Sequence, residues 1–160
     1  MGSDRHSYSA LIVDDDVFVR SMLAELLHEE GFDVSTASNG FNGLRLASEH
    51  NPQVVVLDLM LPDLSGVEVL RELRTNPHLR NTAILVLTGN PGLLPERQGA
   101  DADALLRKPF DISTLLSMLY KAVQRASSRA SEVQPVAPTT PGHESQRLRR
   151  TTAAPRSRRP

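Results

Sequence analysis

Five consecutive residues near the middle of the chain, Val54-Val55-Val56-Leu57-Asp58, restrict its possible folds more than any other stretch. Three β-branched side chains and a leucine in succession are typical of a strand buried on both faces. Asn51-Pro52 ends the preceding segment, because the residue before a proline is disfavoured in a helix, and Pro62 and Gly66 indicate a loop afterwards. Asp58 is thus predicted at the carboxyl end of a buried strand, where open α/β sheets bind ligands. Taken alone, an aspartate at this position is as typical of a turn or a helix cap as of a ligand-binding site.

Other short apolar runs alternate with segments of helical periodicity. The predicted strands cover residues 10–13, 33–37, 53–57, 83–87 and 104–106. Apolar residues at helical spacing are Val19, Met22, Leu23, Leu26 and Leu27 in the first helix and Ile112, Leu115, Leu116, Leu119 and Val123 in the last. Shorter stripes of apolar residues predict two more helices between the first and the last. The second of these begins with a Ser65–Glu68 capping box. The alternation predicts an α/β fold, a doubly wound five-stranded parallel sheet of order 2-1-3-4-5 with helices on both faces.

Residues 89–101 and the two ends of the chain lack this regularity. Two prolines and three glycines between Gly89 and Gly99 predict that any helix there is short or irregular. Residues 1–8 are polar and are expected to be flexible. The last helix is predicted to end near Arg125, and residues 126–160, rich in Pro and Arg, are expected to be disordered. The predicted domain therefore spans residues 9–125, and removing the tail after Arg125 should leave its thermal stability almost unchanged.

Charge and composition exclude several classes of protein. Residues 126–160 carry seven arginines against Glu132 and Glu144, whereas residues 1–125 carry seventeen acidic and eleven basic side chains. The chain has no cysteine, so it has no disulfide framework and no thiolate metal site. No apolar run reaches the length of a membrane span, and no signal-peptide core precedes residue 9. We expect a cytoplasmic protein without membrane insertion, and no direct DNA binding, because the basic tail lacks aromatic residues and no helix-turn-helix pattern follows Arg125.

Polar side chains follow four of the predicted strands. Asp14 and Asp15 follow the first strand and Asp58 the third, while Thr88 ends the fourth and Lys108 follows the fifth. In the order 2-1-3-4-5 the first and third strands are neighbours, so their three carboxylates meet in one crevice. Clustered carboxylates repel one another unless a cation compensates, and Mg²⁺ prefers such oxygen ligands. With Lys108 and Thr88, the group could neutralise a phosphoryl group in transfer to an aspartate.

Each of these residues has an ordinary structural interpretation as well. An Asp pair after a strand is often a helix cap, a terminal Thr reflects β-propensity, and a Lys before a Pro is usually a solvated charge. Their coincidence at four strand ends is much more specific than any one of them.

The motifs resemble the receiver domains of response regulators in two-component signalling, of the chemotaxis-regulator type. The matching segments are Leu11-Ile12-Val13-Asp14-Asp15-Asp16, Leu57-Asp58-Leu59-Met60-Leu61-Pro62 with Gly66, Leu87-Thr88-Gly89 and Lys108-Pro109-Phe110, within residues 10–125. The resemblance implies that Asp58 accepts a phosphoryl group from a sensor histidine kinase or phosphotransfer protein, and that a downstream protein partner reads the change. Such a domain is not an enzyme for other substrates, because it catalyses only its own phosphoryl transfer and dephosphorylation.

The resemblance also assigns roles to the other site residues. Asp15, Asp58 and the backbone carbonyl of Met60 would bind Mg²⁺ directly, and Asp14 would act mainly through water. Lys108 would contact the phosphoryl oxygens, and Thr88 would move toward the phosphoryl group after transfer.

Leu105 departs from the family pattern, which commonly has Tyr or Phe three residues before the lysine as a switch. Pro91 and Pro95 also interrupt the segment that usually forms a helix. The first hypothesis is a phosphorylated switch without an attached output domain, and the second is a receiver-like scaffold that binds a partner without phosphorylation. A phosphohydrolase is disfavoured, because that chemistry would need an Asp where Met60 stands.

Overall fold

Alternating strands and helices form a three-layer α/β structure in the computed structural model, which describes residues 8–94 and 101–132. The strands are β1 (Ser9–Val13), β2 (Asp33–Ala37), β3 (Val54–Leu57), β4 (Ala83–Thr88) and β5 (Ala104–Arg107). The helices are α1 (Val17–Glu29), α2 (Gly40–His50), α3 (Gly66–Thr75) and α4 (Ile112–Glu132), with 3₁₀ turns at Pro77–Leu79 and Pro91–Leu93. Each predicted strand is present, and the predicted capping box of α3 is confirmed at Ser65 and Glu68.

All five strands are parallel, and their order is β2-β1-β3-β4-β5, as predicted. Val13, the last residue of β1, pairs with Ala37 on one side and with Leu57 on the other. The carboxyl ends of three strands are therefore level. This register brings the residues that directly follow β1 and β3 to one point on the sheet edge.

The core consists of two apolar layers, one on each face of the sheet. Successive residues of a strand point to opposite faces, so Ile12 packs with α1 and α4, while Leu11 packs with α2 and α3. The valines of β3 divide in the same way and are almost completely buried. This two-sided burial explains why the central strands have continuous apolar sequences rather than alternating ones.

Helix α4 corrects the prediction that the last helix ends near Arg125. It continues to Glu132, seven residues further. Ala126 is buried in the core, and the guanidinium of Arg129 pairs with the buried carboxylate of Asp103. Long-range contacts of this kind stabilise a segment whose sequence alone has no apolar periodicity. Residues 126–132 are therefore part of the folded unit and not of a disordered tail.

The ends of the described ranges bear on the remaining predictions. Tyr8, assigned above to a flexible terminus, packs against Phe32 with ring centroids 5.8 Å apart and the ring planes tilted by 36°. The 3₁₀ turn at Pro91–Leu93 agrees with the irregular structure expected after β4. The expectations for residues 1–7, 95–100 and 133–160 concern positions outside the described residues. None of the helices in the described parts of the chain has the length and hydrophobicity that crossing a bilayer requires.

Candidate active site and metal centre

Backbone hydrogen bonds across the sheet edge bring Asp14 and Asp58 together. The N–H of Asp58 donates to the carbonyl of Val13 (2.9 Å), so the pairing of β3 with β1 continues up to Asp58. The N–H of Asp14 donates to the carbonyl of Ala37 (3.1 Å) at the end of β2. Both carboxylates are almost fully buried. The predicted meeting of the first and third strand ends is therefore present in the fold.

Lys108 bridges the two buried carboxylates from the end of β5. Its Nζ donates to Oδ2 of Asp14 (2.9 Å) and to Oδ2 of Asp58 (2.8 Å). The lysine is 94 residues from Asp14 in sequence and 50 from Asp58, so only the parallel arrangement of the strands makes the contact. One ammonium group shared by two carboxylates leaves the site with net negative charge.

Burial and charge shift the pKa values of this group. Desolvation raises the pKa of the Asp14 carboxyl above its ordinary value, although hydrogen bonds from Lys108 and the N–H of Asp16 act in the opposite direction. Desolvation would lower the pKa of Lys108, but its hydrogen bonds to Asp58 and Asp14 outweigh this and raise it. Lys108 therefore carries its positive charge at neutral pH.

Asp15 completes a group of three carboxylates that fits a divalent cation. One oxygen from each of Asp14, Asp15 and Asp58 lies within 4.8 Å of the others, and Asp15 is exposed to solvent. Carboxylate oxygens with room for water are the ligands that Mg²⁺ prefers. The donor set is also consistent with the excess negative charge left after Lys108 is counted. The residues present therefore fit Mg²⁺.

Arg20 on α1 holds the loop that carries Asp14 and Asp15. Its Nη1 donates to the carbonyl of Asp14 (2.7 Å) and approaches that of Asp15 (3.4 Å). Asp16 caps the same helix by accepting from the N–H groups of Phe18 and Val19. The role of Arg20 was missed in the sequence analysis, because a single Arg on an amphipathic helix resembles any other surface charge.

Gly66 lets helix α3 start directly against the backbone of Asp58 and Leu59. Its N–H donates to the carbonyl of Leu59 (2.9 Å). A Cβ atom at this position would overlap the carbonyl oxygen of Asp58 and the Cα of Leu59. Only a residue without a side chain fits this close approach, which explains the glycine eight residues after Asp58.

The sequence matches the family model of the response regulator receiver domain over residues 10–120. The chain belongs to the response regulator receiver domain family. Among its relatives, the transcriptional regulatory protein KdpE of Mycobacterium tuberculosis H37Rv is 39% identical over 134 residues, covering 81% of this chain and 57% of KdpE. The response regulator MprA of Mycobacterium sp. strain KMS is 39% identical over 119 residues, covering 73% of this chain and 51% of MprA. The receiver chain thus spans little more than half the length of these relatives.

Solved structures show the same receiver fold. The chemotaxis protein CheY4 of Vibrio cholerae superimposes with a TM-score of 0.66 at 31% identity, covering 72% of this chain and 98% of CheY4. The receiver domain of the sensor histidine kinase PA1611 from Pseudomonas aeruginosa PAO1 has a TM-score of 0.66 at 26% identity, covering 74% of this chain and 98% of that domain. That structure contains a magnesium ion coordinated in its active site cleft.

Thr88 and Met60 lie at the same edge of the sheet as Asp58 in this receiver domain, with different contacts. Thr88 is completely buried, and its hydroxyl oxygen accepts from the N–H of Asn90 (3.2 Å), while its carbonyl accepts from the N–H of Lys108 (2.9 Å). Met60 donates its N–H to Oδ1 of Asp58 (3.0 Å), and its side chain is exposed. All six residues singled out from the sequence therefore lie at the same edge of the sheet.

Leu105 occupies the position where many receiver domains have an aromatic residue. It lies on β5, partly buried, and packs with the core layer under α2 and α3. A leucine held in this layer has no ring and no hydroxyl to move between a buried and an exposed position. The receiver domain therefore has the predicted site without the usual aromatic reporter.

Proposed function

We propose that this receiver domain accepts a phosphoryl group on Asp58 from a phosphohistidine of a sensor histidine kinase or phosphotransfer protein, and signals through the resulting conformational change to a protein partner. The observation that carries the proposal is the double contact of Lys108 with Asp14 and Asp58, made within reach of Asp15. This combination brings the carboxylate of Asp58, the ammonium group of Lys108 and the exposed carboxylate of Asp15 together within one small volume.

In the proposed reaction an Oδ atom of Asp58 attacks the phosphorus of the donor. The phosphorus–nitrogen bond breaks, and its electron pair returns to the imidazole, which takes up a proton. The Nζ of Lys108 exchanges a carboxylate contact for a contact with the transferred phosphoryl oxygens. Charge stabilisation and positioning supply most of the catalysis in such transfers, so the domain promotes its own modification and acts on no separate substrate.

Asp15, Asp58 and the backbone carbonyl of Met60 are the proposed direct holders of Mg²⁺, and Asp14 is proposed to act mainly through water. When bound, Mg²⁺ supplies positive charge that offsets the phosphoryl oxygens. The magnesium ion in the PA1611 receiver domain supports this assignment by similarity. Thr88 is proposed to turn its hydroxyl from Asn90 toward the phosphoryl group after transfer.

Exposed apolar side chains on α1 support the proposed donor. Phe18 is 83% exposed, and Met22, four residues later on the same helical face, is also exposed. Exposed apolar patches commonly mark protein contacts. A helical donor protein that brings a histidine to Asp58 would cover these side chains. The proposal places the protein in the cytoplasm, where such kinases obtain their phosphoryl groups from ATP.

The proposal is tested by incubating the full chain with a small phosphodonor and Mg²⁺ and measuring the intact mass. We expect one phosphoryl adduct in the wild-type chain and none in Asp58→Asn, which keeps the shape of the residue but removes the nucleophile. The adduct should also be absent when Mg²⁺ is chelated. No adduct in the wild-type chain, or an equal adduct in Asp58→Asn, would contradict the proposal.

A receiver-like scaffold that works without phosphorylation is the second candidate. Leu105 favours it, because an aliphatic side chain packed in the core provides no aromatic switch. The same experiment separates the two candidates, since a scaffold that works without phosphorylation is expected to give no phosphoryl adduct in the wild-type chain.

A further inference from the structure

Asp63 connects the loop after β3 to the first turn of helix α2. Its Oδ1 accepts from the N–H of Gly40 (2.7 Å), and its Oδ2 accepts from the N–H of Phe41 (2.9 Å). Gly40 and Phe41 are the first two residues of α2, and the N–H groups of a first turn have no acceptor within their own helix. Desolvation acts against the charged form, but these hydrogen bonds lower the pKa of Asp63, so it is ionised at neutral pH.

Close packing at Gly40 is a second observation that joins the same two segments. A Cβ atom there would lie 2.9 Å from Cβ of Leu64 and 2.9 Å from Cγ2 of Val69. The backbone of α2 therefore rests directly on the loop and on the start of α3. Together, the hydrogen bonds of Asp63 and this backbone contact hold the loop after β3 in one position at the edge of the sheet.

The start of α2 also lies next to the other acidic loop of the site. Ala37, three residues before Gly40, accepts the backbone hydrogen bond of Asp14 (3.1 Å). Residues 37–41 thus contact the Asp14 loop at one end and the loop of residues 59–65 at the other. The second loop includes Met60, whose N–H already contacts Asp58. A displacement of this loop would move Met60 relative to Asp14 and Asp58.

We propose that Asp63 is a positioning residue of the metal site, which holds the loop of residues 59–65 against α2 so that Met60 stays beside the carboxylates. The inference rests on the function proposed above, because it takes Met60 as a holder of Mg²⁺. Asp63 acts only through the backbone of its own loop. Its carboxylate oxygens are occupied by the N–H groups of α2 and are not counted among the metal ligands.

The test compares Asp63→Ala with Asn39→Ala in the full chain. Asn39 caps the same end of α2 by accepting from the N–H of Asn42 (2.9 Å), so its removal weakens the helix without removing the hydrogen bonds to the loop. Two quantities are measured. The first is the Mg²⁺ dissociation constant by calorimetry without a phosphodonor, and the second is backbone hydrogen exchange over residues 59–66 in Mg²⁺-free buffer.

We expect Asp63→Ala to weaken Mg²⁺ binding about tenfold, at the lower end of the effect of outer-shell partners, and to speed exchange over residues 59–66. Asn39→Ala should lower the melting temperature with little effect on either quantity. Asp63→Asn retains one acceptor oxygen and should give an intermediate affinity, which also provides a folded variant if Asp63→Ala is unstable.

Equal Mg²⁺ affinity in wild type and Asp63→Ala would overturn the role of Asp63 and leave the proposed function intact. Equal weakening in Asp63→Ala and Asn39→Ala would also overturn it, since the effect would then follow helix stability. A wild-type chain that binds no Mg²⁺ would overturn both the proposed function and this inference.

Discussion

At the scale of single residues, the close approach of Gly66 to Asp58 gives a prediction for the effect of Gly66→Ala. Because an added Cβ would overlap backbone atoms of Asp58 and Leu59, Gly66→Ala must shift either α3 or the acceptor strand. Overpacking of this kind costs about 1–3 kcal/mol in the free energy of unfolding. We expect a lower denaturation midpoint and slower phosphorylation of Asp58. Gly89→Ala is a matched control, because a Cβ there meets no atom within 4 Å. Wild-type stability in Gly66→Ala would contradict the close approach.

Asp103 is a second residue whose chemistry can be tested, and it lies away from the site. Desolvation acts to raise its pKa, but hydrogen bonds from Arg129 and the N–H of Ile84, with the charge of Arg74, lower it below the ordinary 3.8. A lowered pKa in the folded state adds stability above the unfolded-state pKa, and this contribution disappears as the pH falls through the folded-state value.

Acid unfolding followed by circular dichroism checks this pH dependence. Between pH 5 and pH 2 the wild-type chain should lose more stability than Asp103→Asn, which cannot titrate at this position. Asp103→Asn should be the less stable protein at pH 7, because Arg74 and Arg129 then lack their anionic partner. Parallel pH profiles for the two proteins would show that Asp103 contributes nothing to acid sensitivity.

At the scale of elements, the last two turns of α4 change the expected effect of truncation. Removing the residues after Arg125 should lower the stability of the domain rather than leave it almost unchanged. Ending the chain after Arg125 removes buried Ala126 and the pair of Arg129 with Asp103, although Arg74 still contacts Asp103 (2.6 Å). We expect a loss of about 1–3 kcal/mol in the free energy of unfolding, since Asp103 loses one of its two hydrogen-bonding arginines and keeps the other. For a domain of this size that is roughly 4–12 °C in melting temperature.

The control for this prediction is a chain that ends after Glu132. It keeps the whole of α4, so its melting temperature should remain near that of the full chain. Phosphorylation of Asp58 should persist in both truncated chains at temperatures where they are folded, because the contacts of Asp103 lie at the opposite end of β5 from Lys108. Identical melting temperatures for the two truncated chains would contradict the contribution of residues 126–132.

At the scale of the whole molecule, the question is how phosphorylation of Asp58 would change the surface that a partner contacts. Phosphorylation shifts a pre-existing equilibrium only by contacts that differ between its two states. With Leu105 packed against the core, we expect the change to pass through Thr88, whose hydroxyl oxygen accepts from the N–H of Asn90, and Lys108, whose N–H donates to the carbonyl of Thr88. Thr88 and Lys108 therefore connect the site to the segment that follows β4.

Hydrogen exchange with and without a phosphoryl mimic tests this route. We expect protection to increase over residues 89–94 in the wild-type chain, and to stay flat in Thr88→Ala, which lacks the hydroxyl. Thr82→Ala is a suitable control, because it removes a buried hydroxyl at the other end of β4, where it donates to the carbonyl of Pro52 (2.8 Å). Changes confined to residues 111–125 would instead assign the response to α4.

The amino-acid sequence by itself determined the elements and the chemistry of the site. Buried parallel strands have continuous apolar sequences, and polar residues at their carboxyl ends must share one edge, so Asp14, Asp15, Asp58, Thr88 and Lys108 could be grouped before any coordinates were known. The motifs then indicated the family. Local patterns such as the capping box at Ser65 and Glu68 were readable because their partners are three residues apart.

Tertiary structure alone decided the contacts between residues that are far apart in sequence. Asp63 holds the start of α2 from 23 residues away, and Arg129 reaches Asp103 from 26 residues away. Neither contact leaves a periodic signal, because a charged side chain in a loop or on a helix surface has the same sequence pattern whether or not it has a distant partner. The true end of α4 was missed for this reason: burial of Ala126 and pairing of Arg129 stabilise turns that helix propensity and apolar spacing do not predict.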